Sequence, residues 1–254
     1  MSIVLREPFE SLTFMTPLSE GRADELVRFL AKDLTGAVYD VGCGWAELLL
    51  RVVAASPAAH GIGVDTNRHA IEHGRELAHQ RGLTHRVTLL AEDARVHPPS
   101  AAQVVICIGA SQVWGPPVED DQPIDYVSAL TAIRGLVTPG ARVVFGEGVW
   151  SRPPTAAAVA PLSGRLDELV RLDELVELAV GLGFMPVAVH EASMGEWDAF
   201  ESGYSACYAT WLAKHPFDHP DALEVRERAG RRRASYFGGY RGVLGMAYLA
   251  LVAV

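Results

Sequence analysis

Apolar positions in this 254-residue chain fall into short unbroken runs separated by stripes of helical spacing. Ala37–Val41, Gly61–Asp65, Val87–Ala94, Val104–Ser111, Val143–Trp150, Pro186–His190 and Leu244–Val254 read as strands. Val104 to Ile108 is apolar throughout, as a strand buried on both faces should be. Between the runs, Ala23, Leu26, Val27 and Leu30 recur at helical spacing, as do Ala70, Ile71, Leu77 and Ala78, and Tyr126, Leu130 and Ile133. Ser19 is placed to cap the first of these helices, Pro57 and Pro139-Gly140 to end two others, and Gly82 and Gly183 to stop two more. Strands alternating with helices predict an α/β fold with a doubly wound sheet.

Two stretches break the alternation. Residues 151–163 are rich in Pro and Ala and read as a loop or lid, followed by two copies of Arg-Leu-Asp-Glu-Leu-Val at 165–170 and 171–176. Two copies are too few for a solenoid. Residues 195–241 are long for a connection and read as a helical insertion, with Trp197, Phe200, Tyr204, Cys207, Tyr208 and Trp211 on one helical face. The sixth strand is expected to run parallel to its neighbours, so this insertion should start at the ligand edge and roof the site.

The chemistry concentrates at Tyr39-Asp40-Val41-Gly42-Cys43-Gly44-Trp45-Ala46-Glu47. Strand, glycine turn and helix together present a helix N-terminus to a nucleotide-like ligand. Gly42 and Gly44 can take positive φ and admit a ligand close to the backbone. A dinucleotide fingerprint needs a third glycine where Glu47 stands, and no Tyr-x-x-x-Lys pair is present for hydride transfer. An NAD-dependent oxidoreductase is therefore the weaker reading. Asp40 and Glu47 place two carboxylates in the turn, which suits a ligand carrying positive charge. S-adenosylmethionine has a sulfonium and an ammonium against one carboxylate. Asp65 ends the second strand, where an acid can accept from both ribose hydroxyls of an adenosine.

Asp-Val-Gly-Cys-Gly followed by a helix resembles motif I of the class I S-adenosylmethionine-dependent methyltransferases, with Ala46 in place of that motif's last glycine. Leu-Val-Thr-Pro-Gly-Ala-Arg-Val-Val-Phe at 136–145 resembles the family's region around its fifth strand. The likeness is good over 37–194 and looser beyond, where residues from Trp197 on resemble a bacterial subgroup of small-molecule methyltransferases. It implies one Rossmann-like domain with a seven-stranded, mostly parallel sheet whose last strand is antiparallel. An N-terminal arm and helix (1–36), a cofactor-binding core (37–194), a helical insertion (195–241) and the last strand (242–254) would make it up. Thr16-Pro17-Leu18 is similar to the family's segment that folds over the cofactor. The cofactor set it implies is Asp40, Gly42, Cys43, Gly44, Asp65, Thr66, Asp93, Ala94 and Gly109, with Asp93 and Ala94 at the adenine. The cofactor is S-adenosyl-L-methionine and the product S-adenosyl-L-homocysteine.

The acceptor side is read from less. Gly109 and Ala110 leave room for a reacting methyl group. Amide and DNA-base methyltransferases carry Asn/Asp-Pro-Pro-Tyr at this strand end, and Ile108-Gly109-Ala110-Ser111 argues against those acceptors. A small-molecule acceptor walled by Trp114, Trp150, Trp197 and Tyr204 is expected. Glu147, between two glycines, is the candidate general base, ahead of His190. A non-catalytic S-adenosylmethionine-binding protein is the alternative of another class.

Composition adds exclusions. The net charge of −9 disfavours a nucleic acid, and the arginines at 226–233 alternate with Glu224 and Glu227 as a solvated helix face does. No apolar run reaches the ~20 residues of a membrane span, and the N-terminus does not read as a signal peptide. Cys43, Cys107 and Cys207 lack metal-ligand spacing and read as reduced thiols of a cytoplasmic protein, with no metal. A homodimer is left open.

Overall fold

The computed structural model describes residues 5, 7–96, 101–115 and 122–254. Strands β1 (Ala37–Val41), β2 (His60–Asp65), β3 (Val87–Ala91), β4 (Ala102–Ile108) and β5 (Val137–Trp150) pair in parallel. β6 (Phe184–Glu191) and β7 (Leu244–Ala253) complete one seven-stranded sheet in the order β3-β2-β1-β4-β5-β7-β6. β7 is antiparallel to both neighbours, as expected for the last strand. The expectation that the sixth strand lies parallel to its neighbours is corrected. β6 is an edge strand whose one partner is β7, and it pairs with it antiparallel. Because β7 is itself reversed, β6 still points the way of the first five strands, and its exit lies on their C-terminal edge. Pro186 sits at a register shift of this edge strand, where a missing N–H is tolerated.

Side-chain alternation along the strands sorts the core into two layers. Val38, Val104, Ile106, Val144, Met246 and Tyr248 face one side, under α1 (Glu20–Ala31), α2 (Glu47–Ala55) and α3 (Arg68–Gln80). Val41, Val105, Val143, Phe145 and Leu249 face the other, under α4 (Tyr126–Leu136) and, beyond the short α5 (Ala156–Val159), α6 (Leu172–Gly181). Ser19 caps α1 as expected, its side chain accepting from the Arg22 amide. The second hexapeptide copy forms the start of α6, and the first remains irregular. Pro139-Gly140 lies inside β5 and not ahead of it. Ala102 faces Val137 and Val104 faces Arg142, so β5 bulges outward at the expected turn.

The insertion is two helices and a π-turn: α7 (Met194–Lys214), α8 (Ala222–Ser235) and Tyr236–Tyr240. Its polar pins are internal. Glu201 on α7 is buried and accepts from Arg232 Nε at 2.7 Å, Arg232 Nη2 at 2.8 Å and the Tyr240 hydroxyl at 2.8 Å. Asp198, one turn earlier, accepts from the Tyr236 hydroxyl and from Arg241. No helix among the described residues is long and apolar enough to cross a membrane.

Glu201→Gln keeps the shape of the pin and removes the counter-charge of Arg232. The expected cost is about 1–3 kcal/mol, as for a charged hydrogen-bond partner lost from a buried site. A thermal melt should show it as a drop of several degrees, and an unchanged melting temperature would show that water screens the pair.

Candidate active site

The site is built where β1 ends. Asp40 shares the face of Val38, so its carboxylate points toward the α1–α2 layer, 4% exposed. No hydrogen bond reaches it among the described residues. Burial, and then the nearby Asp65, push its pKa well above the ordinary carboxylate value. The chain then turns through positive φ at Gly42 (66°), Gly44 (55°) and Ala46 (61°). A Cβ on Gly42 would collide with the Ala110 Cβ, so glycine is required there for space as well as for φ. Ala46 stands where the family motif has its last glycine. Left-handed backbone costs a non-glycine residue roughly 1–2 kcal/mol, and the burial of Ala46 against the core holds it there.

Asp65, at the end of β2, braces this turn. Its Oδ2 accepts from the Gly44 amide and its Oδ1 from the Asn67 amide, both at 2.8 Å. Each oxygen keeps a lone pair for a further donor. Two cavities meet at Gly42, Asp65 and Gly109. One, of about 400 Å³, is lined by Thr66, Asp93 and Ala94 among others. The other, of about 340 Å³, is lined by Asp40, Cys43 and Gly44 and walled by Ile106, Ile108 and Met246. The nine residues expected to hold the cofactor are thus all brought to one continuous depression.

Two of the sequence-derived charges are otherwise engaged. Glu47 is buried at the cavity wall, with Oε1 accepting from Arg51 Nε and Oε2 from Arg81 Nη2, each at 2.7 Å. Its charge is therefore spent inside the protein, and Asp40 alone of the two turn carboxylates is left for a ligand. Asp93 pairs with Arg95, which holds its carboxyl down at about 2. That carboxylate is ionised at neutral pH and open to solvent, and Arg95 has to give way for it to accept from an adenine.

The N-terminal arm closes the second cavity from above, as the likeness at Thr16-Pro17-Leu18 implied. Phe14 to Leu18 line it, facing Phe200 of α7. The arm is bolted down at three points. The Trp45 indole donates to the Thr13 carbonyl at 2.8 Å. The Tyr248 hydroxyl donates to the Pro17 carbonyl at 3.0 Å and accepts from the Thr16 hydroxyl at 2.9 Å. Buried Glu196 accepts from Ser19 and, through both oxygens, from Arg22. Burial opposes ionisation of Glu196, but Arg22, Ser19 and backbone amides outweigh it and hold the carboxyl far below its usual range.

The expected acceptor residues lie elsewhere. Glu147 shares the face of Val143 and Phe145, opposite to Asp40, so strand alternation turns it away from the cavity. Its Oε2 accepts from the Ser111 amide at 3.2 Å and the Ser111 hydroxyl at 2.6 Å, and its Oε1 from the Gly148 amide at 2.9 Å. Burial raises its pKa and these bonds oppose the rise. The effect is to pin the loop that carries Gly109 and Ala110. His190, on edge strand β6, lines neither cavity.

None of Trp114, Trp150, Trp197 and Tyr204 lines either cavity. Trp114 packs on the α4 layer. Trp150 packs with Val159 and Leu169 and donates to the Leu166 carbonyl. Trp197 is buried edge-on to Phe200 and Tyr240. Tyr204 carries the Arg232 guanidinium over its ring at 4.2 Å. The aromatic walls are Phe14, Trp45 and Phe200 instead. Phe200 stands on the aromatic face read from sequence. Phe14 belongs to a stretch, Phe9, Leu12, Phe14 and Met15, that is too apolar for a free tail, and Met246 is marked by no local pattern.

Residues 38–139 match a family model described as a methyltransferase domain. Over 77 residues the chain is 34% identical to the release factor glutamine methyltransferase of Caulobacter vibrioides, a stretch that covers 30% of this chain and 27% of that protein. Solved structures of S-adenosylmethionine-dependent methyltransferases from Geobacter sulfurreducens and Thiobacillus denitrificans, both in complex with S-adenosyl-L-homocysteine, share the fold. Each gives a TM-score of 0.81 at 24% identity over 97% of this chain and 96% of theirs. The chain thus carries a methyltransferase-domain match over residues 38–139 and has the fold of these S-adenosylmethionine-dependent methyltransferases.

Proposed function

We propose that this chain methylates a small-molecule acceptor by in-line transfer from S-adenosylmethionine. The observation that carries the reading is Asp40: a buried carboxylate without a hydrogen-bond partner among the described residues, facing a cavity at a glycine turn. A buried charge without a partner is costly, and a cationic ligand in that cavity relieves the cost. The residues fit the cofactor. Asp65 and Thr66, with Asp93 and Ala94 beyond them, would hold an adenosine. The backbone of Gly42 and Gly44 would admit the remainder beside Asp40. When bound, the cofactor supplies an electrophilic methyl group on a positively charged sulfur.

What the chain adds is alignment and dryness. Phe14, Leu18, Ile108, Phe200 and Met246 wall a space beside Asp40 that the arm covers. Positioning of this kind is worth effective molarities of ~10⁵ M or more. Glu147 positions Gly109 and Ala110 in this reading and takes no proton. The small acceptor is supported by the arm and α7, whose Phe14 and Phe200 narrow the cavity beside Asp40. A glutamine side chain, the acceptor named for the Caulobacter relative, is disfavoured by Ile108-Gly109-Ala110-Ser111 at the end of β4.

Calorimetric titration with S-adenosyl-L-homocysteine, with NAD as control, should show micromolar binding of the first and none of the second. Binding of NAD alone would overturn the cofactor assignment. Asp65→Ala should weaken the complex by about 1–3 kcal/mol, the loss of a charged hydrogen-bond partner; equal affinity would take Asp65 out of the site.

Asp40→Asn separates stability from binding. Because its pKa is raised on folding, the folded protein takes up the Asp40 proton before the unfolded chain does. Stability is therefore gained as pH falls through the raised pKa toward the ordinary carboxylate value. At neutral pH the ligand-free asparagine variant should melt at higher temperature than wild type, by about 1–3 kcal/mol, lose that acid-side gain, and bind S-adenosylmethionine at least ~10-fold more weakly. A lower melting temperature with unchanged affinity would refute the role given to Asp40.

A further inference from the structure

The acceptor's charge can be argued from the walls it must pass. A third cavity, of about 550 Å³, lies on the outer side of the arm and shares Phe14, Thr16, Leu18 and Phe200 with the cavity beside Asp40. These four residues separate the two cavities, and an acceptor entering from the outer one would follow a path past them to the inner. On the inner side the charged lining residues are Asp40, Glu47 and Asp65, all acidic. On the outer side they are Glu20, Arg22 and Glu196. The one guanidinium, Arg22, is clamped by Glu196 through Nε at 2.9 Å and Nη2 at 3.1 Å. Arg51 and Arg81 stand behind the inner wall, and both are turned onto Glu47. Arg51 also holds Glu20 at 2.5 Å. Among the described residues each of these cations already has its carboxylate, and Glu20, Glu47 and Glu196 are met by those cations in turn, while Asp40 has no such partner.

An anionic acceptor would leave water for a path that offers it no open cation among the described residues. Desolvating a charge without a partner is costly, and a site can reject a ligand in this way. The remaining wall is apolar: Phe14, Leu18, Ile106, Ile108, Phe200 and Met246. We infer that the acceptor is an apolar small molecule bearing a neutral or basic nucleophile, an amine, hydroxyl or thiol, and no carboxylate, phosphate or sulfate. This inference rests on the methyl-transfer reading above.

The test is binding to protein first saturated with S-adenosyl-L-homocysteine, using phenethylamine, phenethyl alcohol and phenylacetate as probes at neutral pH. These share a skeleton and differ in charge. The amine and the alcohol should bind at least ~10-fold more tightly than the acid. Phe200→Lys, checked for S-adenosyl-L-homocysteine binding, should narrow or reverse that ratio, and Met246→Lys serves as the second variant should the first fail to fold. Phenylacetate binding as tightly as the amine, or failure of all three probes on saturated protein, would overturn the inference and leave the cofactor reading standing. Failure of S-adenosyl-L-homocysteine itself to bind would overturn that reading, and this inference with it.

Discussion

A carboxylate buried beside a glycine turn is the constraint on which the site depends. Asp40 is in a central strand, paired on one side with β2 and on the other with β4. Its backbone cannot shift to bring the side chain to water without breaking the middle of the sheet. Folding therefore buries a charge that nothing described in the protein meets. Burying an uncompensated charge is unfavourable, so the free protein carries a cost that a cationic ligand removes. Differential binding of that kind favours a ligand with positive charge over an equally shaped neutral one.

The turn after Asp40 is held in shape by groups that the ligand does not supply. Asp65 ties the Gly44 amide to the end of β2. Arg51 joins Glu47 of α2 to Glu20 of α1, and its guanidinium lies 4.9 Å from the centroid of the Phe14 ring. Arg81 holds the other oxygen of Glu47 from beyond α3. The start of α2, the start of α1 and the arm are thus one polar assembly. Glu47 is better understood as the hub of that assembly than as a second ligand carboxylate, and the cavity owes its acidity to Asp40.

The α/β class was legible from the alternation of runs, and the reversed last strand from the family likeness. The residues that gather at the cavity were legible for a related reason. They lie at strand ends or in turns directly after strands, and in an open parallel sheet such ends converge on one edge whatever the details of packing. The acceptor side was not legible, because it depends on which face a side chain takes and on where long elements cross. Glu147 was placed correctly at the ligand edge, yet one step of strand alternation turns it onto Ser111 and away from the cavity. Met246 faces the cavity only because β7 inserts between β5 and β6, a long-range pairing with no local signal.

The aromatic residues of the insertion show the same limit from the side of energetics. A stripe of large rings on one helical face is equally able to line a cavity or to secure a helix. Here α7 starts just after β6, and beyond Phe200 in its second turn no ring of the stripe lines the cavity. Trp197 goes to the core against Tyr240, Tyr204 goes under Arg232, and Trp211 stacks on His215. Only Phe200 stays over the opening, opposite Phe14 of the arm. A roof so pinned to itself by Glu201, Arg232 and Tyr240 presents a nearly fixed ceiling, with few side chains left to reorganise around a ligand. The opening of the cavity thus lies between two rings, Phe14 of the arm and Phe200 of α7.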